Sequence, residues 1–513
     1  MSGNFFADMH PVFEENASRP CFIFSRGGGW TFADLEERIG KSCGVLLRAG
    51  VKPGNRVVAQ VAKSAEAIAL YLACLRVGAV YVPLNTAYTP AEVQYFLDDA
   101  DAALFVCDPS GTEVEAASIH TLDADGEGSF TQTMAHTEPF TGIVARKRTD
   151  IAAIVYTSGT TGRSKGAMLS HENLRTNATA LREAWGWQDR DVLLHALPIF
   201  HVHGLFIALH CALLGGTTTI FMPKFDMEEM RMWLPRSTVL MGVPTFYSRL
   251  LADDGFTAEM ASAIRVFISG SAPLTEQVFA AFEERTGKKI LERYGMSETI
   301  INTTNPLAGE RVAGTVGYAL PGVEVRVTED GEPVPSGDVG MIEVRGTNVF
   351  SGYWQMPEKT KEELREDGWF ITGDLGTQAT DGRLSIVGRS KDLIISGGYN
   401  VYPKEVEQAI DEIDGISESA VFGVPHSDFG EAVVVAVVQS PATVSASASA
   451  DLTSDEQSLQ IGLADVEAAL AGKLARFKQP KHLISLPELP RNTMGKVQKN
   501  LLREAHATLF TTN

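Results

Sequence analysis

The sequence predicts an α/β fold in two parts: a large N-terminal domain over residues 1–390 and a small mobile α+β domain over residues 391–513. Three observations predict it. Short apolar β runs alternate with helical patterns from about residue 30 to 150 and again from 192 to 268, and such interleaving implies α/β layers with mainly parallel sheets. Between Gly314 and Gly388 the texture changes to short strands and Gly/Pro turns, a β-rich subdomain. A chain of 513 residues is also too long for one ordinary core, so two or more domains are expected.

The elements follow in order. Arg56–Ala59 and Ala103–Val106 read as strands. The most apolar stretch, Ala67–Leu84, is broken by Arg76, Gly78 and Pro83, which suits a core helix followed by a strand better than a membrane span. Ile151–Val155 reads as a buried strand, and Ser170 as the N-cap of a helix through Leu181. Val192-Leu193, Thr218–Phe221, Thr238–Met241 and Arg265–Ile268 continue the strand series. A boundary falls near 389–392. Beyond it Glu405–Ile413 reads as a helix, with Ala420–Val424 and Ala432–Val438 as strands. Residues 440–458, rich in Ser, Ala and Thr, form a low-complexity solvated loop to which no chemistry is assigned.

Composition narrows the function classes. Hydrophobic content of 44% and charged content of 21% suit a soluble globular enzyme. The net charge of −20 argues against nucleic acid as a partner, so any anion site must gather its cations locally. Five scattered cysteines without a C-x-x-C pair fit a reducing, cytoplasmic setting. The N-terminus carries no basic-then-apolar leader. Oligomeric state leaves no mark in the sequence.

Chemistry concentrates in four places. Tyr156–Gly166 crowds hydroxyls, glycines and the cations Arg163 and Lys165 behind a strand. Glycines allow close backbone approach, and successive N–H groups make an anion-binding concavity, so this is a polyphosphate loop. It is not a Walker A loop, because Lys165 is followed by Gly166 rather than by Ser or Thr. Ile268–Leu274 and Glu292–Glu298 each follow a short apolar run, and strand ends are where α/β sheets place ligands. Tyr294 offers a π-face to a flat base, and Glu298 an oxygen ligand to a hard cation. Asp374 in Ile371–Leu375 is a natural acceptor for a diol, with Arg389 after it. Lys496 stands in a Gly-containing turn, Pro490–Val497.

Arg293 and Arg249 lie in apolar surroundings. A buried guanidinium without a partner is costly, and a bidentate carboxylate relieves that cost. His195, His201 and His203 lack a flanking carboxylate or cysteine at ligand spacing, so they are not read as a metal site.

These motifs resemble those of the adenylate-forming superfamily of acyl-CoA synthetases, luciferases and peptide-synthetase adenylation domains. The likeness covers nearly the whole chain, with five motifs in the family's order; Ser164 departs from the usual proline. The resemblance implies that Thr157, Ser158, Gly159, Thr160, Thr161, Gly162 and Lys165 grip the ATP phosphates. It puts Ser271, Ala272, Pro273, Glu292, Tyr294, Gly295 and Met296 around AMP, with Tyr294 stacked on adenine and Ser297 near the α-phosphate. It gives Glu298 and Thr157 to Mg²⁺, and Asp374 and Arg389 to the ribose. Lys496 reaches the carboxylate and α-phosphate, which makes Lys496, Glu298 and Ser297 the catalytic set. The hinge falls at Lys391, and Gly397 and Gly398 leave room for the coenzyme A thiol.

Within that superfamily, Glu292–Glu298, Met241–Tyr247 and Pro490–Lys499 look like malonyl-CoA synthetases. In that subfamily the positions of Arg249, Ser271 and Arg293 hold the distal carboxylate, with His201 beside the acyl pocket. The implied activity is ATP- and Mg²⁺-dependent ligation of malonate to coenzyme A through malonyl-AMP, with small-molecule substrates and neither nucleic acid nor membrane as partner. Methylmalonate is not distinguished, since one methyl is worth only ~1–3 kcal/mol in a pocket. Two rivals stand beside it. A synthetase for another short, medium-chain or aryl acid would leave Arg293 unpaired, and a non-catalytic AMP-binding protein would need neither Lys496 nor Glu298.

Overall fold

A computed structural model describes residues 3–157, 164–426, 428–439, 461–492 and 495–510. The chain divides into two compact units. The first comprises Met1–Leu274, Val278–Val325 and Glu343–Ile371. The second comprises Thr275–Gln277, Arg326–Ile342 and Thr372–Asn513.

Two mainly parallel sheets build the first unit. One runs Tyr318–Ala319, Thr303–Thr304, Leu291–Tyr294, Val266–Ser269, Val239–Gly242, Val192–His195, Thr218–Phe221, Pro20–Phe24, Gly29–Thr31. The other runs Ile119–Thr121, Ala102–Cys107, Arg56–Gln60, Val80–Pro83, Ile151–Thr157, Lys165–Ser170. Antiparallel pairs occur only toward their edges among the described pairs. Parallel strands buried on both faces carry near-continuous apolar runs, as in Val239–Gly242 and Val266–Ser269, where every residue is buried.

The apolar stretch folds as the helix Ala65–Val77 and the strand Val80–Pro83. Arg76 survives inside it because its guanidinium donates to Glu36 Oε1 at 2.6 Å and to the carbonyls of Gly142 and Thr141. Ser170 caps the helix His171–Ala184, its hydroxyl accepting from the Asn173 N–H at 3.1 Å. Among the described residues, no helix is long and apolar enough to cross a membrane.

The stretch after the phosphate loop differs from the reading above. Lys165–Ser170 is a strand paired antiparallel with Ile151–Thr157, so the loop connects a hairpin and Lys165 is itself a strand residue opposite Thr157.

Val323–Glu329, Gly340–Gly346, Phe370–Gln378 and Leu384–Arg389, with the short Glu332–Pro333, form the β-rich sheet. In the second unit the strands Ile416–His426 and Gly430–Gln439 pair along their length, flanked by Ile394–Ser396, Tyr399–Val401 and His482–Ser485. Both faces are covered. Phe422, Val424 and Val434 pack with Leu489 and Leu502 on one side, and Val421, Val433 and Val435 with Val406, Ile410 and Leu470 on the other. All five cysteines are free and buried.

Candidate active site

In the first unit, three neighbouring parallel strands end together. Register pairs Gly242 with Ser269 and Ser269 with Glu292, so Gly270, Ser271 and Arg293 meet at the carboxyl edge, where open α/β sheets bind ligands. Arg293 is 4% exposed. Its Nε and Nη2 have no hydrogen-bond partner, and its guanidinium lies against Gly270. Burial pushes its pKa down to about 9, with Tyr247 and Glu292 opposing the shift. A desolvated cation with unused donors is an anion site.

Ser271 holds φ +74 without being glycine, and its hydroxyl is 3.2 Å from His203 Nδ1. His203 is buried, and its Nε2 has no partner. Burial, and then the charges of Arg293, His201 and His195, hold its pKa well below the usual imidazole range. It opens a π-helix, His203–Leu209, a geometry that recurs at functional sites. His201 Nδ1 accepts the His203 N–H at 3.2 Å. His195 has one consistent neutral tautomer: Nδ1 faces Lys63 Nζ at 2.6 Å and Nε2 faces the Gly204 carbonyl at 3.0 Å. Lys63 and His195 thereby anchor the segment that carries His201 and His203. Among the described residues, no three His, Cys, Asp or Glu side chains are grouped to hold a metal.

Arg249 is a correction. It is exposed, with its guanidinium 5.6 Å above the Phe225 ring. The helix Pro244–Leu251 buries Phe246, Tyr247 and Leu250, and helical periodicity turns position 249 outward. The argument from an unpaired buried cation applies to Arg293 alone. The buried polar group of that helix is instead Tyr247, whose hydroxyl donates to the Ile268 carbonyl at 2.6 Å.

Tyr294 is buried at the end of its strand, while Gly295, Met296 and Ser297 are half-buried. At Gly295 a β-carbon would strike the Ile300 carbonyl oxygen. Ser271 and Ala272 are half-buried and Pro273 is exposed. The buried Glu292 accepts the Leu274 N–H at 3.4 Å, tying that turn to the strand of Arg293.

Of the phosphate loop, Ser158, Gly159, Thr160, Thr161 and Gly162 lie outside the described residues. Its two ends are described. The Thr157 hydroxyl donates to the Lys165 carbonyl at 3.4 Å. Lys165 Nζ lies 3.1 Å from the Tyr353 hydroxyl and 3.1 and 3.2 Å from the two Glu363 oxygens. The Tyr353 hydroxyl is in turn 2.6 Å from Glu363 and 3.1 Å from the buried Glu298. One phenol therefore joins the loop lysine to the expected metal ligand. Burial and then Glu298 push the Tyr353 pKa up. Burial alone would raise Glu363, but hydrogen bonds from Tyr353 and Lys359 and the Lys165 charge hold it below the usual carboxylate value.

Sequence reasoning missed Tyr353, Glu363 and His203. Glu363 belongs to the charged run 358–366, which reads as a solvated helix face. The only signal for His203 was its place two residues after His201.

The second unit carries the remaining candidates. Asp374 and Arg389 are cross-strand partners, with Arg389 Nε 2.6 Å from Asp374 Oδ1. Lys496 is exposed in a turn closed by the Arg491–Val497 bridge, its N–H donating to Asn492 Oδ1 at 3.0 Å. Two ion pairs tether that turn to the sheet and helix beneath: Arg491 with Glu418, and Lys499 with Glu407 at 2.6 Å. Gly397 and Gly398 have φ +60 and +82 between the strands Ile394–Ser396 and Tyr399–Val401. That is the two-residue hairpin turn that favours glycine at both positions. Lys391 is exposed in the turn Ser390–Asp392.

The family model for AMP-binding enzyme matches residues 11–354, and that for AMP-binding enzyme C-terminal domain matches residues 405–496. The chain belongs to the AMP-binding enzyme family. This AMP-binding enzyme is 35% identical over 490 residues to the Malonate--CoA ligase of Arabidopsis thaliana, covering 89% of this chain and 79% of that protein. It is 36% identical to the mitochondrial Malonate--CoA ligase ACSF3 of Mus musculus, covering 84% and 78%. ATP-bound MatB from Rhodopseudomonas palustris superposes with a TM-score of 0.92 at 48% identity, over 99% of this chain and 100% of that one. A benzoate CoA ligase from Burkholderia xenovorans LB400 gives 0.85 at 26% identity, over 98% and 99%.

Proposed function

We propose that this AMP-binding enzyme is an ATP- and Mg²⁺-dependent malonate:CoA ligase. One malonate carboxylate attacks the ATP α-phosphate, giving malonyl-AMP and pyrophosphate; the coenzyme A thiol then displaces AMP. The observation that carries the reading is Arg293, a buried guanidinium with two unpartnered nitrogens at a strand-end pocket. A distal carboxylate supplies the missing acceptor, and an apolar tail does not. The relatives named malonate ligases support the same acid.

The other roles follow the family pattern. Tyr294 stacks on adenine, Asp374 and Arg389 hold the ribose, and the Thr157–Lys165 loop grips the phosphates. Ser271 and His201 line the acid pocket, and Arg249 is a second, solvent-side cation for the acid. Glu298 and Thr157 offer only oxygen donors, which fits Mg²⁺, an ion that keeps water and phosphate oxygens as its other ligands. Bound there, Mg²⁺ neutralises phosphate charge. Lys496 stabilises charge as the two anions meet. The 391–513 domain turns about residues 389–392 between half-reactions, bringing Gly397 and Gly398 to the thiol path. The enzyme works in the cytoplasm on small molecules, without nucleic acid.

A panel of mono- and dicarboxylic acids, assayed for both pyrophosphate release and CoA-thioester formation, tests the proposal. Malonate should lead butyrate and benzoate in kcat/KM by on the order of 10²–10⁴. A leading aryl or medium-chain acid would overturn it.

A further inference from the structure

We propose that His203 is a specificity-determining residue of the acid pocket: with Ser271 it supplies the distal carboxylate with a donor beside the Arg293 guanidinium. The inference rests on the malonate reading above and extends it to a residue outside the family's expected contacts.

The hydrogen-bond inventory carries the argument. A carboxylate accepts at about four lone-pair sites. An arginine fork fills two, and in a desolvated pocket the rest need donors as well. The His203–Ser271 pair holds one in either tautomer. If the Ser271 hydroxyl donates to Nδ1, across 3.2 Å, the ring proton sits on Nε2, a buried atom with no partner in the protein. If Nδ1–H donates instead, the hydroxyl proton of Ser271 is left to give. Both arrangements offer a donor that nothing else in the protein takes.

A structural histidine in an apolar wall would have its second nitrogen satisfied. The charged and titratable groups that act on His203 are Arg293, His201 and His195, and none is an acid. The acceptor this cluster lacks must arrive with a ligand. Backbone geometry points the same way. Ser271 holds φ +74, which glycine or asparagine adopts more readily, and what serine adds there is a hydroxyl facing His203.

The test compares wild type with His203→Phe, His203→Gln, Ser271→Ala and the double variant His203→Phe/Ser271→Ala. KM and kcat are measured for malonate and for butyrate, with malonate affinity by calorimetry in the presence of a non-hydrolysable ATP analogue. His203→Phe should raise the malonate KM on the order of 10- to 100-fold, leave kcat and the butyrate KM within about two-fold, and weaken malonate in calorimetry equally. His203→Gln, which restores an N–H donor, should recover part of the loss, and the double variant should be little worse than His203→Phe alone. Should His203→Phe fail to fold, Ser271→Ala and His203→Gln carry the same comparison. Equal losses for malonate and butyrate, or an unchanged malonate KM, would overturn this assignment while the malonate reading stands. A wild type that shows no preference for malonate removes both.

Discussion

The Arg293 guanidinium lies against the α-carbon of Gly270, so close that a β-carbon at position 270 would overlap it. Gly270 has no left-handed φ, so alanine suits its backbone and only the guanidinium must give way. Gly270→Ala should therefore act as a displaced-arginine variant. It should raise the malonate KM by roughly 10-fold or more with little change in melting temperature. Arg293→Ala should do the same and spare butyrate. Combined, they should be no worse than Arg293→Ala alone, because the residues share one cause. Additive losses would separate the two residues.

Tyr353 joins Lys165, Glu363 and Glu298 through one hydroxyl. Tyr353→Phe leaves two carboxylates facing each other without it. Pyrophosphate formation should fall roughly 10-fold, and its Mg²⁺ titration should shift to higher concentration. Conversion of supplied malonyl-AMP to the thioester should be spared. A Mg²⁺ curve superimposable on wild type would remove Tyr353 from the phosphate chemistry.

Lys496→Ala should cost adenylation on the order of 10²–10³ while thioester formation from malonyl-AMP changes little. Glu418→Gln, which cuts the tether from Arg491, should show the same split with a smaller loss. Equal losses in both half-reactions would contradict the assignment of Lys496 to the first.

The Gly397-Gly398 turn separates two causes. Gly398 has φ +82 and open space where a β-carbon would go. Gly398→Asn, whose residue tolerates left-handed backbone, and Gly398→Leu, which strains it, both add bulk. If the turn lines the thiol path, both variants should release pyrophosphate yet make little malonyl-CoA. Loss in the leucine variant alone would mean that the turn matters only for its shape.

Acid should destabilise the fold through His171. Its Nδ1 accepts the Phe5 N–H at 3.2 Å, and burial, with Arg146 adding, pulls its pKa down to about 4. The unfolded chain binds this proton more tightly, so the stabilisation is full above pH 6.5 and lost as pH falls from 6.5 towards 4. The loss approaches about 3 kcal/mol at the lower end. Denaturant titrations at pH 7.5 and 5 should show it. In His171→Asn the drop should shrink, and an undiminished drop would assign the acid sensitivity elsewhere.

Much of this protein is legible without coordinates. Strand–helix alternation foretold the parallel sheets, and the apolar flanks of Arg293, between Leu291 and Tyr294, foretold its burial, because a central strand is covered on both faces. Spacing foretold that Asp374 and Arg389 belong together, though not that they are direct cross-strand partners. Arg249 had apolar neighbours too, yet the phase of one helix turned it outward. Tyr353 stands 188 residues from Lys165, and Ser271 stands 68 from His203; no local pattern records such meetings. Sequence by itself determined which chemical groups exist and which runs of chain become strands, since periodicity and turn chemistry act over a few residues. Which of those groups share a desolvated pocket was decided by strand register and sheet order, and these arise only when the whole core packs.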